Sequence, residues 1–491
     1  MFKGIIGIII KEVNLDIIIF KYIKYKEVNN LDIDTIAAIA TAPGEAGIGI
    51  VRISGKNSIN IIDKIFIGKE NISFKNREPR KLYYGHIINP ENEKVIDEVL
   101  TVYMKAPYTY TTEDIIEINC HGGIIPVRKI LEIILQNEAR IAEPGEFTKR
   151  AFMNGRIDLA QAEAVMDLIS AKTDSSFDVS LNQLEGSLSN EVKLLRESVL
   201  KMLAQIEATI DFPDEDDVED MAYEKMKEEG NNILERINKL LSTVYTGKIL
   251  KEGLKTIILG KPNVGKSSLM NAILRENRAI VTEIPGTTRD IIEEYVNING
   301  IPLRIVDTAG IRETEDLVEK IGVDRAKSLI DKGDLAIVVF DASEDLADED
   351  MIIIEMVKNK KSIILLNKTD LEIKTNENII KRYLPNKEII NTSMIKGKGL
   401  ETLENTIKDM FFKGEVKVTD DIIVNNVRHK DLLIKAKNNI KEALNSIEMG
   451  MPIDCIEVDV KECWNNLGEI NGYTVGEDII DRIFSDFCIG K

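Results

Sequence analysis

The sequence is poor in cysteine, proline and glycine, and each scarcity excludes a class of protein. Its 491 residues include only four cysteines, too few for a disulfide framework, and their spacing matches no zinc site. Twelve prolines and 31 glycines, beside 44% hydrophobic residues, exclude a collagen-like chain and a disordered one. We therefore expect about two to four globular domains in a reducing compartment, the cytoplasm.

Positive charge is also scarce, because 83 acidic residues stand against 64 basic ones and the formal net charge is −19. This balance excludes a protein that coats nucleic acid or anionic membrane non-specifically. Much of the excess is local: residues 211–220 hold seven acids, residues 341–350 hold six, and neither segment contains lysine or arginine. Local contact with a nucleic acid is still compatible with this distribution.

Long apolar runs are missing too. No stretch reaches the roughly 18 residues of a membrane span, so we expect no membrane association. The isoleucine-rich segment 1–31 is interrupted by charges, which favours a strand-forming or loosely ordered extension over a signal peptide. The terminal Cys488-Ile489-Gly490-Lys491 has the format of a prenylation box, but its last two residues do not suit one.

The chain changes texture along its length, which indicates a multidomain protein with α+β and α/β parts. Residues 32–150 carry short β-type runs between turn signals, as an α+β domain does. Residues 151–250 and 413–491 have helical spacing, and 156–212 predicts one or two long helices. Residues 251–412 alternate buried strands with helices, so an α/β domain is inserted into a helical one.

A phosphate-binding motif lies near the start of the α/β region. Gly260-Lys261-Pro262-Asn263-Val264-Gly265-Lys266-Ser267 matches G-x-x-x-x-G-K-[ST] between a predicted strand and a predicted helix. Its glycines let backbone N–H groups turn around phosphates, and the helix N-terminus adds positive potential. We expect Lys266 to reach the β- and γ-phosphates and the Ser267 hydroxyl to hold magnesium.

Two further motifs at strand ends indicate a guanine nucleotide. Asp307-Thr308-Ala309-Gly310 places a carboxylate near magnesium and a glycine N–H near the γ-phosphate. Asn367-Lys368-Thr369-Asp370 offers a carboxylate for the two donors of guanine, a pair that adenine lacks at that edge. Ser393-Met394-Ile395 stands where GTPases usually have Ser-Ala-Lys, which makes that base contact less secure.

The hydrolytic chemistry departs from the common GTPase pattern. Ile311 stands where many GTPases place a glutamine that orients the attacking water, and an aliphatic side chain cannot do this. We expect a carboxylate in the polar segment 312–320 to replace it. Gly286-Thr287-Thr288-Arg289-Asp290 is expected to form the other switch, with Thr288 as the second magnesium ligand.

Several segments outside these motifs have no general physical explanation but are specific in combination and order. They are 34–41 with 47–55, 110–114 with 121–123, 143–148 with 150–152 and 154–156, and the tail 487–491. On these segments the chain resembles the bacterial and organellar tRNA-modification GTPase family (MnmE, also called TrmE) over essentially all of 32–491. The resemblance implies a folate-binding-like first domain, a helical domain split in sequence and an inserted Ras-like P-loop GTPase domain.

The resemblance also implies ligands and their contacts. The first domain is expected to bind a reduced folate (formyl- or methylene-tetrahydrofolate) and to drive homodimerisation. Its folate contacts, by match to family positions, are Arg52, Glu117, Arg156 and Lys491. A carboxylate suits the pterin edge of a folate, and arginine suits its glutamate carboxylates.

For the GTPase domain the resemblance implies a potassium site at Asn263, Thr282, Ile284 and Thr287, and Glu319 as the water-activating residue. A cation that bridges the phosphates can replace an arginine finger. The expected GTP-binding residues are Asn263, Val264, Gly265, Lys266, Ser267, Ser268, Thr282, Glu283, Ile284, Pro285, Gly286, Thr287, Thr288, Asp307, Thr308, Ala309, Gly310, Asn367, Lys368 and Asp370.

The implied function is a potassium-stimulated GTPase that works with an FAD-dependent MnmG (GidA) partner in a heterotetramer or larger complex. Together they add an aminomethyl-type (carboxymethylaminomethyl) group to the 5-carbon of the tRNA wobble uridine, with carbon from folate. The matching family cysteine, here Cys488, is required for modification as a nucleophile or as a redox or positioning residue. The alternatives are a ribosome-assembly GTPase switch and a folate-dependent aminomethyltransferase with a regulatory G domain.

Some residues carry only structural expectations. Cys120, Cys455 and Cys463 are predicted to be core residues, and His121 belongs to a loop or to the folate site. Residues 1–31 precede the usual start of the family, so a mis-called start codon is one expectation, which the intact mass of the native protein tests.

Overall fold

The computed structural model describes residues 34–490, except residues 71 and 331 and the segments 212–215, 277–293, 306–329 and 413–421. The chain divides into two compact units. The first takes in Met1–Met166, Arg196–Glu229 and Asn445–Lys491, and the second takes in Asp167–Leu195 and Gly230–Leu444.

A seven-stranded sheet organises the N-terminal part of the first unit. Its strands are β1 (Ile36–Ile39), β2 (Ile48–Ser54), β3 (Phe66–Gly68), β4 (Leu82–Ile88), β5 (Val95–Met104), β6 (Ile115–His121) and β7 (Arg140–Ile141). The order across the sheet is β3-β4-β5-β6-β2-β1-β7, antiparallel except for the parallel β1 and β7. The helices here are α1 (Ser58–Ile65), α2 (Ile124–Leu135) and α3 (Glu146–Met153).

Alternation of side chains along β2 and β6 decides which face of this sheet is covered. Val51 and Ile53 of β2 are fully buried and belong to the same core as Ile61 of α1. Because successive strand residues point to opposite faces, Arg52 lies on the other face. The register pairs Arg52 directly with Glu117, so two side chains far apart in sequence become neighbours.

The helical stretch after this sheet contains more helices than its apolar spacing predicted. It consists of α4 (Leu159–Ser170), α5 (Asp174–Leu184), α6 (Ser187–Asp211), α7 (Asp216–Ser242) and α8 (Val244–Glu252). The one or two long helices expected over 156–212 are therefore three. A capping box between Thr173 and Ser176 starts α5, and Gly186, with φ +98°, separates α5 from α6.

The second unit contains a six-stranded sheet. Its strands are β8 (Leu254–Leu259), β9 (Glu294–Ile298), β10 (Ile301–Ile305), β11 (Leu335–Asp341), β12 (Ser362–Asn367) and β13 (Glu388–Asn391). The order is β13-β12-β11-β8-β10-β9, and all neighbours are parallel except the β9–β10 hairpin. The helices around these strands are α9 (Lys266–Glu276), α10 (Asp348–Val357), α11 (Glu377–Tyr383) and α12 (Leu400–Phe412).

The parallel α/β arrangement predicted for this region is confirmed. Its central strands are buried throughout, as β11 and β12 show along their whole length. The carboxyl ends of parallel strands share one edge, so the segments after β8, β11 and β12 meet there.

The C-terminal helices are α13 (Val427–Glu448), α14 (Ile453–Asn471) and α15 (Glu477–Ser485), which agrees with the helical prediction. Among the residues that the structure describes, no helix is long and apolar enough to cross a membrane.

Candidate functional site

The phosphate-binding motif forms a tight loop between β8 and α9. Three of its residues have positive φ, namely Gly260 at +151°, Asn263 at +62° and Gly265 at +107°. Successive N–H groups in such conformations form a concave anion site, and Lys266 begins the helix that follows. Val264 is fully buried and anchors the loop in the core of the second unit.

The Lys266 ammonium group is suited to an anion. Its Nζ donates to the carbonyl oxygens of Gly260 and Lys261, each at 2.7 Å, and these are its hydrogen-bond partners among the described residues. Burial lowers the pKa of Lys266, because the charged form loses solvation and no carboxylate of the described residues compensates it. Phosphate oxygens would supply the missing negative charge, so the loop fits a nucleotide.

The guanine motif contacts this loop directly. Asn367, at the end of β12, donates from Nδ2 to the carbonyl oxygen of Val264 at 2.8 Å. Its Oδ1 accepts from the backbone N–H of Met394 at 3.2 Å. Close approach is possible because residue 265 is glycine: a Cβ there would lie 2.2 Å from Asn367 Nδ2. Two motifs about a hundred residues apart thus form one site.

Asp370 is oriented by the loop at residues 393–395, whose sequence departs from the usual Ser-Ala-Lys. Ser393 Oγ donates to Asp370 Oδ1 at 2.6 Å, and this hydrogen bond is the main reason why the pKa of Asp370 lies below its ordinary value. An ionised, acceptor-only carboxylate is what guanine recognition requires. Ile395, in place of the usual lysine, is 86% exposed. The position of Ser393 therefore keeps a role although the loop departs from Ser-Ala-Lys.

Ser267 and Ser268 lie in the first turn of α9, where the sequence predicted them. The other predicted residues of the nucleotide and cation sites lie outside the described residues. They are the loop Thr282, Glu283, Ile284, Pro285, Gly286, Thr287 and Thr288, the segment Asp307, Thr308, Ala309 and Gly310, and the predicted base Glu319. Lys491, the last predicted folate contact, is outside them too.

The predicted folate residues of the first unit come together on the sheet face opposite α1, where Phe147 of α3 packs beside Arg52. Arg52 Nε forms an ion pair with Glu117 Oε1 at 2.8 Å. Tyr110 joins the two arginines, because its ring centre lies 5.8 Å from the Arg52 guanidinium and 4.6 Å from that of Arg156. Two cations, a carboxylate and an aromatic ring fit a ligand that has a heterocycle and carboxylates.

The chain end reaches this site. Arg52 Nη1 donates to the carbonyl oxygen of Gly490 at 3.4 Å, and the N–H of Gly145 donates to the carbonyl oxygen of Cys488 at 3.3 Å. Gly490 has φ +93°, and a Cβ there would lie 2.3 Å from the carbonyl oxygen of Ile39. Only glycine fits so close to β1, which explains a glycine in the tail. The side chain of Cys488 is exposed.

A partly buried ion-pair network supports α3 beside the site. Glu146 accepts from Arg140 at 2.6 and 2.8 Å and from Arg150 at 2.9 Å. Burial by itself raises the pKa of Glu146, but the hydrogen bonds from Arg140, the Glu143 N–H and Arg150 lower it to about 2. This network holds the helix that carries Thr148, whose hydroxyl shares a hydrogen bond with that of Tyr110 at 2.9 Å.

The structure confirms some of the remaining side-chain expectations and contradicts one. Cys120 and Cys463 are buried as predicted, and burial raises the pKa of Cys120 to about 11. Cys455 is exposed, so its assignment to the core was wrong. His121 lies at the far end of β6 from Glu117 and pairs with Asp97 at 2.7 Å, which raises its pKa. It does not belong to the Arg52 cluster.

Sequence reasoning missed the role of Tyr110. The residue lies in a segment that supports the family resemblance, but its place between two arginines depends on strand register and on the position of α3. The sequence signal that could have indicated this role was an aromatic residue, Tyr110, beside the polar residues 111–114.

A P-loop after β8 and an Asn-Lys-x-Asp element after β12 of a parallel sheet define a guanine-nucleotide-binding domain of the P-loop GTPase class. Two family models match the chain: "MnmE helical domain" over residues 159–488 and "GTP-binding protein TrmE N-terminus" over 35–156. The chain belongs to the tRNA modification GTPase MnmE family.

Relatives in this family are similar over most of the chain. The tRNA modification GTPase MnmE of Alkaliphilus oremlandii is 58% identical over 93% of this chain and 99% of its own. That of Clostridioides difficile is 55% identical over the same shares. Among solved structures, the G domain of the FeoB iron transporter of T. maritima is 25% identical over 32% of this chain and 97% of its own, with a TM-score of 0.24, too low to carry an argument.

Proposed function

We propose that this protein is a potassium-stimulated GTPase that takes part in modification of the tRNA wobble uridine. The observation that carries the proposal is the junction of the two nucleotide motifs at Val264 and Asn367, in a chain that belongs to the MnmE family along most of its length. GTP hydrolysis is proposed to reorganise a dimer rather than to take part in the bond made on the base.

The described residues would bind GTP through two groups of contacts. Lys266 and the backbone N–H groups of the loop hold the phosphates, and Asp370, oriented by Ser393, accepts the two donors of guanine. Ser267 and Thr288 would hold magnesium, which neutralises phosphate charge when it is bound.

Asn263 would hold potassium together with Thr282, Ile284 and Thr287. Its backbone at φ +62° turns this residue out of the regular loop path, a conformation that asparagine tolerates well. The cation supplies positive charge where negative charge develops. Glu319 is proposed to orient and deprotonate water, because Ile311 cannot.

The Arg52 cluster is proposed to bind a reduced folate as one-carbon donor. Glu117 would accept donors of the pterin, the ring of Tyr110 would contact its face, and Arg156 and Lys491 would pair with the carboxylates of the ligand. Cys488, exposed at the chain end that contacts Arg52 through Gly490, is proposed to act at the modified base.

Homodimerisation is proposed to use the exposed part of the first sheet on β2, β4 and β5. Leu82, Tyr84, Leu100 and Ile48 expose 42–61% of their surface there, on the same face as Arg52. Several large apolar side chains on one face favour burial against another surface. An FAD-dependent MnmG-type partner and tRNA are the proposed further components, and the proposed compartment is the cytoplasm.

Nucleoside analysis of tRNA from a deletion strain tests the proposal. We expect the modified wobble uridine to disappear and to return with the wild-type gene and with Lys358→Ala, a control whose lysine pairs with Glu355 on the surface of α10. Lys266→Ala should not restore it. Unchanged wobble uridine in the deletion strain would contradict the proposal, and an accompanying defect in ribosomal subunits would favour the ribosome-assembly alternative.

A further inference from the structure

The acidic segment 341–350 has no part in the function proposed so far, yet three of its acids contact the nucleotide motifs. Asp341 forms an ion pair with Lys368 of the guanine motif at 2.5 Å. Glu344 and Asp350 form ion pairs with Lys261 of the phosphate loop at 2.9 and 3.4 Å. The segment therefore connects with both lysines that flank the site.

Asp341 is placed firmly enough to orient a neighbour. It is the last residue of β11, opposite Asn367 in the register, and its side chain is 2% exposed. Its Oδ1 accepts from the N–H of Ser343 at 2.9 Å and from Ser343 Oγ at 2.6 Å, which leaves Oδ2 for Lys368. Burial raises the pKa of Asp341, but Lys368 and Ser343 together lower it below its ordinary value, so the carboxylate stays ionised.

Lys368 is constrained at its backbone as well as at its ammonium group. Its backbone has φ +65°, a conformation that costs a residue with a side chain free energy and that persists where the surroundings enforce it. In sequence it follows Asn367, which donates a hydrogen bond to the phosphate loop, and it precedes Asp370, which is predicted to recognise the guanine base. A lysine held at both its backbone and its ammonium end has few rotamers left to lose when a ligand binds.

Backbone hydrogen bonds make the same connection. The N–H groups of Lys374 and Thr375, just after the guanine motif, donate to the carbonyl oxygen of Ala342 at 2.8 and 3.0 Å. Thr375 Oγ1 donates to the carbonyl oxygen of Glu344 at 2.6 Å. The segment that follows β11 is thus bonded to the loop that reads the base.

We propose that Asp341 is a positioning residue for guanine-nucleotide binding, which acts by holding the Lys368 side chain in place; this rests on the proposed GTP site. Without the carboxylate, Lys368 must be ordered by the nucleotide itself, which weakens binding of GTP and GDP alike and leaves the maximal hydrolysis rate unchanged. Base selectivity stays with Asp370.

The test is a double-mutant cycle on the full-length protein, read by titration with a fluorescent GDP analogue. Asp341→Asn and Lys368→Gln are each expected to raise the Kd about tenfold, or about 1.4 kcal/mol. If Asp341 acts through Lys368, the double variant should be about as weak as Lys368→Gln alone, since coupled residues are not additive. Additive losses would overturn the proposal.

Two controls separate the outcomes. Asp345→Asn removes the same charge from the same segment, but Asp345 is exposed and forms no ion pair with a lysine in the described part of the chain, so its Kd should stay at the wild-type value. An equal loss there would assign the effect to net charge and overturn the proposal. Asp341→Asn should also keep the wild-type preference for GDP over the xanthosine analogue.

Asp370→Asn tests the proposed guanine site itself. Its amide can donate to the C2 oxygen of xanthine, so it should lose GDP and gain the xanthosine nucleotide. If Asp370→Asn switches to the xanthosine nucleotide while Asp341→Asn binds GDP with the wild-type Kd, only the positioning role is refuted. If Asp370→Asn still binds GDP, the proposed site fails. Should Asp341→Asn not fold, Ser343→Ala, which removes one hydrogen bond to Asp341, replaces it in the cycle with a two- to threefold expected rise, about 0.4–0.7 kcal/mol.

Discussion

Gly265→Ala is the substitution for which the structure predicts the most specific steric conflict. The new Cβ would lie 2.2 Å from Asn367 Nδ2 and 3.5 Å from its Cγ, so Asn367 or the phosphate loop must move. In the unbound protein, Asn367 and the phosphate loop can move apart to relieve this conflict. Nucleotide binding is expected to need both in place, because the phosphate loop is proposed to hold the phosphates and Asn367 contacts the loop that is proposed to read the base.

Two costs therefore fall on binding. An alanine forced to φ +107° costs about 1–3 kcal/mol, since L residues rarely adopt that conformation. Loss of the buried hydrogen bond from Asn367 to the Val264 carbonyl costs about 1–3 kcal/mol more. A total near the middle, about 4 kcal/mol, weakens nucleotide binding roughly a thousandfold.

Titration with a fluorescent GDP analogue measures this directly, with urea unfolding to show that the variant is folded. Gly450→Ala is the matched control: Gly450 also has positive φ, at +62°, but among the described residues no neighbouring atom lies within 4 Å of where its Cβ would be. It should lose a little stability and keep the wild-type Kd. A Gly265→Ala protein that binds GDP within threefold of wild type would refute the contact between the two motifs.

Four further outcomes are expected. Glu319→Ala should abolish GTP hydrolysis with GTP binding nearly intact; turnover near wild type would reject that assignment. Potassium should stimulate hydrolysis, and equal rates in potassium and sodium would remove the cation site. Arg52→Ala should weaken binding of reduced folate about a hundredfold in calorimetry, because it removes a charged contact and leaves Glu117 unpaired, without changing GTP hydrolysis. Glu146→Gln should destabilise the first unit by about 1.5 kcal/mol in urea at pH 7, because Arg140 and Arg150 each lose one carboxylate partner while Asp34 still pairs with both. The folded pKa of Glu146, about 2, lies below its ordinary 4.5, so this stability is present above pH 4.5 and is lost as the pH falls toward 2; the variant should lack that pH dependence.

The nucleotide-binding half of the fold was predictable because its signals are local. Each motif is a few adjacent residues after a buried strand, and a parallel sheet brings such segments to one edge whatever the loops between them do. The Arg52 cluster is different. Arg52 and Glu117 are 65 residues apart, and only the register of β2 against β6 makes them a pair. Without the family resemblance, nothing in the sequence selects these two from the many other charged residues.

The errors of the sequence-based expectations have geometric causes. Cys455 and Cys463 are eight residues apart on α14, which places them about 80° apart around the helix axis rather than on one line. Cys463 faces the core and Cys455 does not. In the region 156–212, apolar spacing described the buried face correctly but could not show where α5 and α6 end, because a capping box and a positive-φ glycine decide that.

The acidic excess has a different meaning once its partners are known. Of the six acids in 341–350, Asp341, Glu344 and Asp350 are paired with lysines of the nucleotide motifs, and the side chains of Asp341 and Asp350 are only 2–3% exposed. The three carboxylates and the two lysines, Lys261 and Lys368, together carry a formal charge of −1 rather than −3, and what remains is screened beyond about 8 Å at physiological ionic strength. The segment therefore repels a polyanion less than its formal charge implies, because half of its acids pair with lysines of the proposed GTP site.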